Sequence, residues 1–361
     1  MTAERALRVG FLHVGRERSG LRRYGRILAA EASTRRDLEV VESDAGGRDA
    51  GYRELRAAAA RLRDTDVVHL QWKLADWDPR TGGLPRMEVV LQTIRRPVVV
   101  TLHDVFVREG LWDRALSPAA LGLRRLGRAA ASLVVHSEDE RGRLDGLVPA
   151  AKVAVVPHFV ELRPDLPDRS AARRQLGVAD ARVITLLGFL TRRRGHALVI
   201  EALRDLPADV VALFAGSAIE GRDHIADGLR RLAAEQGVAD RVRFLGFVPE
   251  EQLEQVLVAT DVALCPFERM AASGSLATWI SAGRPIVASN LAPFRELTAM
   301  QPDALHLFSP YAAEPLARRV RETLERPGDG PDPAVVALAE RLATPRVVDR
   351  YLELYRAAVA G

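Results

Sequence analysis

Cysteine occurs once in this sequence, at Cys265, which excludes an intrachain disulfide and fits a reducing cytoplasm. Lysine occurs only at Lys73 and Lys152, so nearly all of the 52 positive charges are arginine, as a GC-rich genome would give. Aromatic residues make up just 5%. No apolar run approaches the roughly 20 residues of a membrane-spanning helix. The opening stretch, MTAERALRVGFLHVG, carries no long apolar leader core. Histidines and cysteines do not cluster at metal-ligand spacing, so no metal is expected. No low-complexity tract or short repeat is present. No nucleic-acid-binding motif accompanies the arginines, so a nucleic-acid partner is not expected.

What is present is a globular mix, 48% hydrophobic and 28% charged. The 361 residues are too many for one ordinary core and point to two domains. The net charge of +4 is uneven: residues 1–163 carry +6 and the remainder −2. A basic first half suits an acidic acceptor or peripheral contact with a membrane surface. A solvated face without a partner is the plainer explanation.

Strand-like and helix-like stretches alternate along the chain. Apolar runs at 8–13, 38–43, 66–70, 97–102, 132–136 and 152–156 read as strands buried on both faces of a parallel sheet. Helical stretches lie between them, such as 20–34, 50–63 and 117–130. Ser137 with Glu140 three residues on reads as a capped helix start. A proline-rich break, Pro157 to Pro167, reads as an interdomain linker. Strands then resume at 182–187, 209–215, 241–244, 261–264, 285–289 and 304–308, with helices at 196–205, 224–236 and 249–259. Thr344-Pro345 starts a last helix, with proline suited to the first helical turn. The expected architecture is α/β, two doubly wound Rossmann-like domains facing each other across a deep cleft. Ligands of such sheets sit outside the carboxyl ends of the strands, so the strand-end loops carry the chemistry.

After the first strand comes Gly15, then Arg16 to Arg18, Ser19 and Gly20, without the G-x-G-x-x-G spacing of a nicotinamide fold. Gly20 at a helix start can bring backbone N–H groups to an anion or a sugar, or simply make a turn. His103 ends the fourth strand and is a candidate for hydrogen bonding or proton handling, or is a packed histidine. The loop Gly188 to His196 holds Arg192, Arg193 and Arg194 before a helix, a pattern suited to phosphate oxygens. The nearly uncharged stretch Ala271 to Pro285 opens a helix at Ser273-Gly274-Ser275, where first-turn N–H groups can bind an anion. Small residues there also suit tight packing. Trp72 and Trp77 can stack on an acceptor or anchor their own loop, and Arg16, Arg18, Arg22 and Arg23 can meet an acidic acceptor.

Taken in order, G-F-L-x-R-R-R-G-H, F-L-G-F-V-P-E-E-Q-L, A-x-D-V-A-L-x-P, S-G-S-L and A-G-R-P-I-V-A-S resemble the nucleotide half of the retaining GT-B glycosyltransferase family 4. V-V-T-L-H-D ending at Asp104, V-V-H-S-E at 134–138 and V-V-P-H-F-V at 155–160 resemble its first half. The resemblance covers essentially the whole chain and rests on the succession of motifs. It implies an N-terminal acceptor domain over 1–163, a donor domain over 164–343 and a helix over 344–361 crossing back to the first domain.

It also implies a cytoplasmic bacterial enzyme that moves a sugar from a nucleoside-diphosphate sugar to an acceptor hydroxyl with retention, without metal or cofactor. Arg194, with Arg192 and Arg193, is implied at the donor diphosphate. His103 is implied beside the donor sugar. Gly15, Ser19, Gly20, Ala272, Ser273, Gly274 and Ser275 are implied around phosphate and sugar. Gly188, Gly246, Phe247, Val248 and Thr278 are implied at the nucleoside. Two family glutamates fall on Met270 and Thr278, and a family arginine falls on Phe189. Two alternatives stay open: a non-catalytic nucleotide-sugar-binding protein, and a sugar-nucleotide epimerase or hydrolase.

Overall fold

The computed structural model describes residues 5–15, 19–47, 50–78, 81, 83–103, 105, 116–219, 222–269, 273–326, 328 and 330–361. The chain divides into two compact units, residues 1–159 with 344–361, and residues 160–343.

Six parallel strands form the sheet of the first unit: β1 (Leu7–His13), β2 (Leu38–Asp44), β3 (Val67–Trp72), β4 (Val98–Leu102), β5 (Ser132–Val135) and β6 (Val153–Val155). Their order is β2-β1-β3-β4-β5-β6. The sheet of the second unit holds β7 (Arg182–Leu187), β8 (Val210–Ala215), β9 (Val242–Gly246), β10 (Val262–Cys265), β11 (Ile286–Ser289) and β12 (His306–Phe308). Its order is β12-β11-β10-β7-β8-β9. All twelve apolar runs read from the sequence are strands. Those at the centre of each sheet, such as β4 and β10, are buried along their full length, as parallel strands covered by helices must be.

The chain enters the second unit at Val160, before the expected boundary at 163. Val160 donates its N–H to the Leu342 carbonyl (2.7 Å) and pairs with Ala343, so the entry and exit of the second unit are tied together. The last helix, Thr344–Ala360, then packs in the first unit through Val347, Val348, Tyr351, Leu352 and Tyr355. These fall at the three- and four-residue spacing of one helix face. Ser137 caps its helix as expected, accepting from Glu140 N–H at 3.2 Å. The Glu140 carboxylate reaches one residue further back than a capping box, accepting from the His136 N–H at 2.8 Å.

The carboxyl ends of β7, β8 and β9 are stitched closely. Gly188 N–H bonds to Ala215 O at 2.9 Å, Leu190 N–H bonds to Ser217 O at 3.0 Å, and Gly216 bridges Gly246. This closeness demands glycine at 216, where φ is 152° and an added Cβ would lie 2.1 Å from the Gly188 carbonyl oxygen. Gly216→Ala is therefore expected to cost about 1–3 kcal/mol through backbone strain. A urea melt reads this directly, and an unchanged midpoint would contradict it.

Candidate functional site

In the second sheet the chain starts at β7, adds β8 and β9 on one side, and then crosses to place β10 on the other. The strand order reverses between β7 and β10, and such a switch point opens a crevice at the strand ends. Two of the loops singled out in the sequence leave these strands. They meet in space although 81 residues separate Arg194 from Ser275.

Residues Arg192–Arg194 make one turn of 3₁₀ helix after β7. Gly195 follows at φ 84°, and an added Cβ there would lie 2.2 Å from the Pro266 carbonyl oxygen. This turn sends the Arg194 side chain inward, while Arg192 and Arg193 lie exposed. Arg194 Nη1 donates to Ser275 Oγ at 2.6 Å and to Leu187 O at 3.3 Å. Its guanidinium lies over the Phe267 ring, 4.7 Å from the centroid. Burial pulls its pKa below the usual arginine range, although it stays a cation at any working pH. Its partners are a hydroxyl, a carbonyl and a ring, all neutral. A desolvated cation with neutral partners is costly unless an anion joins it.

Ser275 Oγ lies 3.0 Å from Ser273 Oγ. Ser273 caps the helix Gly274–Ser281, accepting from Leu276 N–H at 3.4 Å. The first-turn N–H groups of Gly274 and Ser275, which a helix leaves unpaired, thus start beside Arg194. Space around Gly274 is open, since an added Cβ would meet nothing within 4 Å. Arginine, two hydroxyls and a helix N-terminus together suit a phosphate group. Ala272 and Met270 lie outside the described residues.

The remaining nucleoside candidates are spread along the same sheet edge. Gly188 and Gly246 take positive φ at the ends of β7 and β9. Phe189 is 57% exposed and Phe247 is 74% exposed, two apolar rings turned outward. Val248 follows Phe247, partly buried. Thr278 gives its hydroxyl proton to Gly274 O at 2.9 Å, one turn back, so its oxygen remains only an acceptor.

In the first unit, Ser19 caps the helix Gly20–Ser33 by accepting from Arg22 N–H at 3.2 Å. Gly15 donates to Gly46 O at 2.8 Å with φ 131°, and space beside Gly20 is open. Arg16 to Arg18 lie outside the described residues, and Arg22 is engaged with Asp44 at 2.7 Å. Of the two readings of Trp72 and Trp77, the structure supports the loop anchor and not the acceptor platform. Both are buried, their rings 4.8 Å apart, and Trp77 Nε1 donates to Gln71 O at 3.1 Å. The short helix Leu74–Trp77 carries Trp77 back against Trp72, and burial leaves neither ring a face on which to stack a ligand.

His103 ends β4, and its Nε2 lies 2.7 Å from Gln71 Oε1. Burial drives its pKa well below the usual histidine value, helped by neighbouring histidines. Those neighbours carried no role in the sequence reading, although their motifs place them at strand ends. His136 follows β5 and His158 follows β6. Ring centroids are 5.1 Å apart for His103 and His136, and 5.5 Å for His136 and His158. Tyr24 packs against all three, at 4.7, 5.6 and 4.8 Å.

Behind this cluster runs a buried polar chain. Gln71 Nε2 lies 3.2 Å from His69 Nε2, and His69 meets Tyr355 OH (2.6 Å) and Thr101 Oγ1 (2.8 Å). Thr101 Oγ1 meets Tyr351 OH (3.0 Å), which reaches Tyr24 OH (3.1 Å).

Acidic pairs at D-x-D spacing occur at Asp64 and Asp66 and at Asp76 and Asp78. Asp66 is spent on Arg5 and on the Arg8 N–H (2.8 Å), and Asp78 accepts from Thr81 Oγ1 (2.9 Å). Among the described residues no group of three histidine, cysteine, aspartate or glutamate side chains could hold a metal ion. No helix among them is long and apolar enough to cross a membrane.

Residues 168–338 match the family of glycosyl transferases group 1. They hold Arg194, Ser273 and Ser275, so the phosphate-like constellation lies inside the matched module. The chain is 30% identical over 245 residues to D-inositol 3-phosphate glycosyltransferase of Mycobacteroides abscessus, covering 66% of this chain and 55% of that protein. It is 26% identical over 276 residues to 2-deoxystreptamine glucosyltransferase of Streptomyces kanamyceticus, covering 73% and 69%. The first of these matches thus spans about half of the curated relative's length. Among solved structures, Anabaena HepE in complex with UDP and glucose superposes with a TM-score of 0.76 at 18% identity, covering 96% of this chain and 98% of that one. Sucrose-phosphate synthase of Thermosynechococcus elongatus gives 0.71 at 17%, covering 98% and 99%. The fold is therefore GT-B, over nearly the whole chain.

Proposed function

We propose that this protein is a glycosyltransferase of the retaining family 4 type, moving a sugar from a nucleoside-diphosphate sugar to an acceptor hydroxyl without metal or cofactor. The observation that carries the reading is Arg194 bonded to Ser275 at the N-terminus of the helix Gly274–Ser281. It gives a leaving diphosphate a desolvated cation, hydroxyl donors and a helix dipole, fixed before the ligand arrives.

The bond between the sugar's anomeric carbon and the diphosphate oxygen breaks, and the acceptor oxygen bonds to that carbon on the same face. The acceptor proton passes to the departing phosphate oxygen. Arg194 carries the developing charge, with Arg192 and Arg193 at its exposed edge. His103 is assigned to the transferred sugar, and Gly15, Ser19 and Gly20 to the sugar and phosphate. Ala272, Ser273 and Gly274 offer backbone groups to the diphosphate. Gly188, Gly246, Phe247 and Val248 are assigned to the nucleoside, with the exposed Phe189 and Phe247 rings as stacking faces. Thr278 takes a ribose hydroxyl as acceptor. The single buried cysteine fits the cytoplasm as the working compartment.

A thermal-unfolding panel of UDP, GDP and TDP tests this. At 100 times its dissociation constant, a ligand adds about 2.7 kcal/mol to the native state. One nucleotide is expected to raise the melting temperature clearly. A panel with no shift would sink the reading.

A further inference from the structure

The three histidines at the ends of β4, β5 and β6 have protonation states that their partners dictate. Burial keeps them neutral: His103 is pushed well below its usual value, His136 to about 3 and His158 to about 4. A neutral imidazole has one N–H and one bare nitrogen. His136 Nδ1 lies 3.0 Å from the Val156 carbonyl oxygen and His158 Nδ1 lies 2.7 Å from the Phe159 carbonyl oxygen. A carbonyl can only accept, so the proton sits on Nδ1 in both rings and Nε2 is bare. His103 Nε2 faces the Gln71 carbonyl oxygen, whose amide nitrogen is turned to His69. Its proton therefore sits on Nε2, and Nδ1 is bare. His136 Nε2 is buried without a hydrogen-bond partner among the described residues. Such an orphaned acceptor costs stability unless a donor arrives.

We propose that His103, His136 and His158 form a ledge of three acceptor nitrogens that binds the O–H groups of a polyhydroxylated ring. The ledge rests on the glycosyl-transfer reading for its purpose, and adds His136 and His158 to the residues that touch substrate. It takes hydroxyl donors and turns away carboxylates and phosphates, which bring only acceptors. The Tyr24 ring forms its floor, with its hydroxyl spent on Tyr351. The donor sugar and an acceptor polyol share this chemistry, and the experiment separates them.

The full chain labelled with ¹⁵N-histidine reports each ring nitrogen by long-range NMR. At pH 7 the bare nitrogens are expected at Nδ1 of His103 and Nε2 of His136 and His158. Opposite tautomers at His136 and His158 would overturn the proposal. UDP, UDP-glucose, glucose and myo-inositol are then titrated in turn. If the ledge holds the donor sugar, UDP-glucose moves the bare nitrogens and UDP does not. If it holds the acceptor, glucose or myo-inositol moves them. If UDP binds and no sugar moves any of the three, the ledge fails while the glycosyl-transfer reading stands. If sugars move them and none of UDP, GDP and TDP binds, the ledge stands and that reading fails. His158→Phe is expected to weaken the responding sugar about three- to tenfold, the loss of one neutral hydrogen bond. His158→Gln, whose amide oxygen restores an acceptor, is expected to recover part of that loss.

Discussion

Arg194→Met is expected to weaken binding of the best-bound nucleoside diphosphate about 10- to 100-fold and to slow its release from the corresponding nucleotide sugar by about 100-fold or more. The first figure follows from a charge-assisted hydrogen bond to phosphate, worth about 1.5–3 kcal/mol. The second follows from what one preorganised donor aimed at developing charge usually contributes. Methionine is the informative replacement because its stem can still cover Phe267, where the guanidinium now lies 4.7 Å from the ring centroid. The fold should then survive and the charge alone be lost. Arg194→Lys should recover only part of the activity, because an ammonium cannot bond Ser275 and a phosphate oxygen through one planar fork. Calorimetric affinity for that nucleoside diphosphate and a coupled assay of its release read the two effects separately. A variant within about threefold of the parent in both would remove Arg194 from the leaving-group role.

The sequence singles out Arg194 within a basic loop, but not where its side chain lies. The three arginines in a row read as one basic loop, and nothing in their order says which turns inward. The 3₁₀ turn and Gly195 at φ 84° decide it, by aiming Arg194 under the strand ends and leaving its neighbours in solvent. The partnership with Ser275 follows from strand order, which places β10 against β7. The strands themselves were easy to read because buried parallel strands are nearly continuous apolar runs. Trp72 and Trp77 stayed open between two readings because ligand-stacking loops and buried loop anchors use the same residue. Only the fold shows the helix Leu74–Trp77 tucking the second ring against the first. The histidine ledge escaped because its members stand in three separate motifs, and a strand-end histidine alone reads as packing. Val160 pairs with Ala343 across most of a domain, a contact that no local pattern encodes.

The same buried histidines make stability fall steeply on mild acidification. His69 and His196 are both about 1% exposed, and burial holds their pKa values at about 3 and about 4. In the unfolded chain each titrates near 6.5. Between these values the unfolded chain binds more protons than the folded one, so stability rises with pH through the window and is lost as pH falls below about 6.5. Each such residue contributes a slope of up to about 1.4 kcal/mol per pH unit there, and the slope vanishes above the unfolded value. His136 and His158 act in the same direction, with a smaller share because each residue is only partly buried. The first unit therefore carries more of the penalty, and its centre is His69. Protonating that ring adds a second N–H where Thr101 and Gln71 now meet its nitrogen. The first unit should open before the second. Urea melts at pH 7.5 and pH 5, followed by hydrogen exchange on each unit, measure this. The unfolding free energy should drop by several kcal/mol in the first unit and less in the second. His69→Gln, which cannot titrate, should start less stable at pH 7.5 yet lose less on going to pH 5. Equal stability of the parent at both pH values would show that these rings accept protons in the folded state, and would dismiss the neutral network on which the ledge depends.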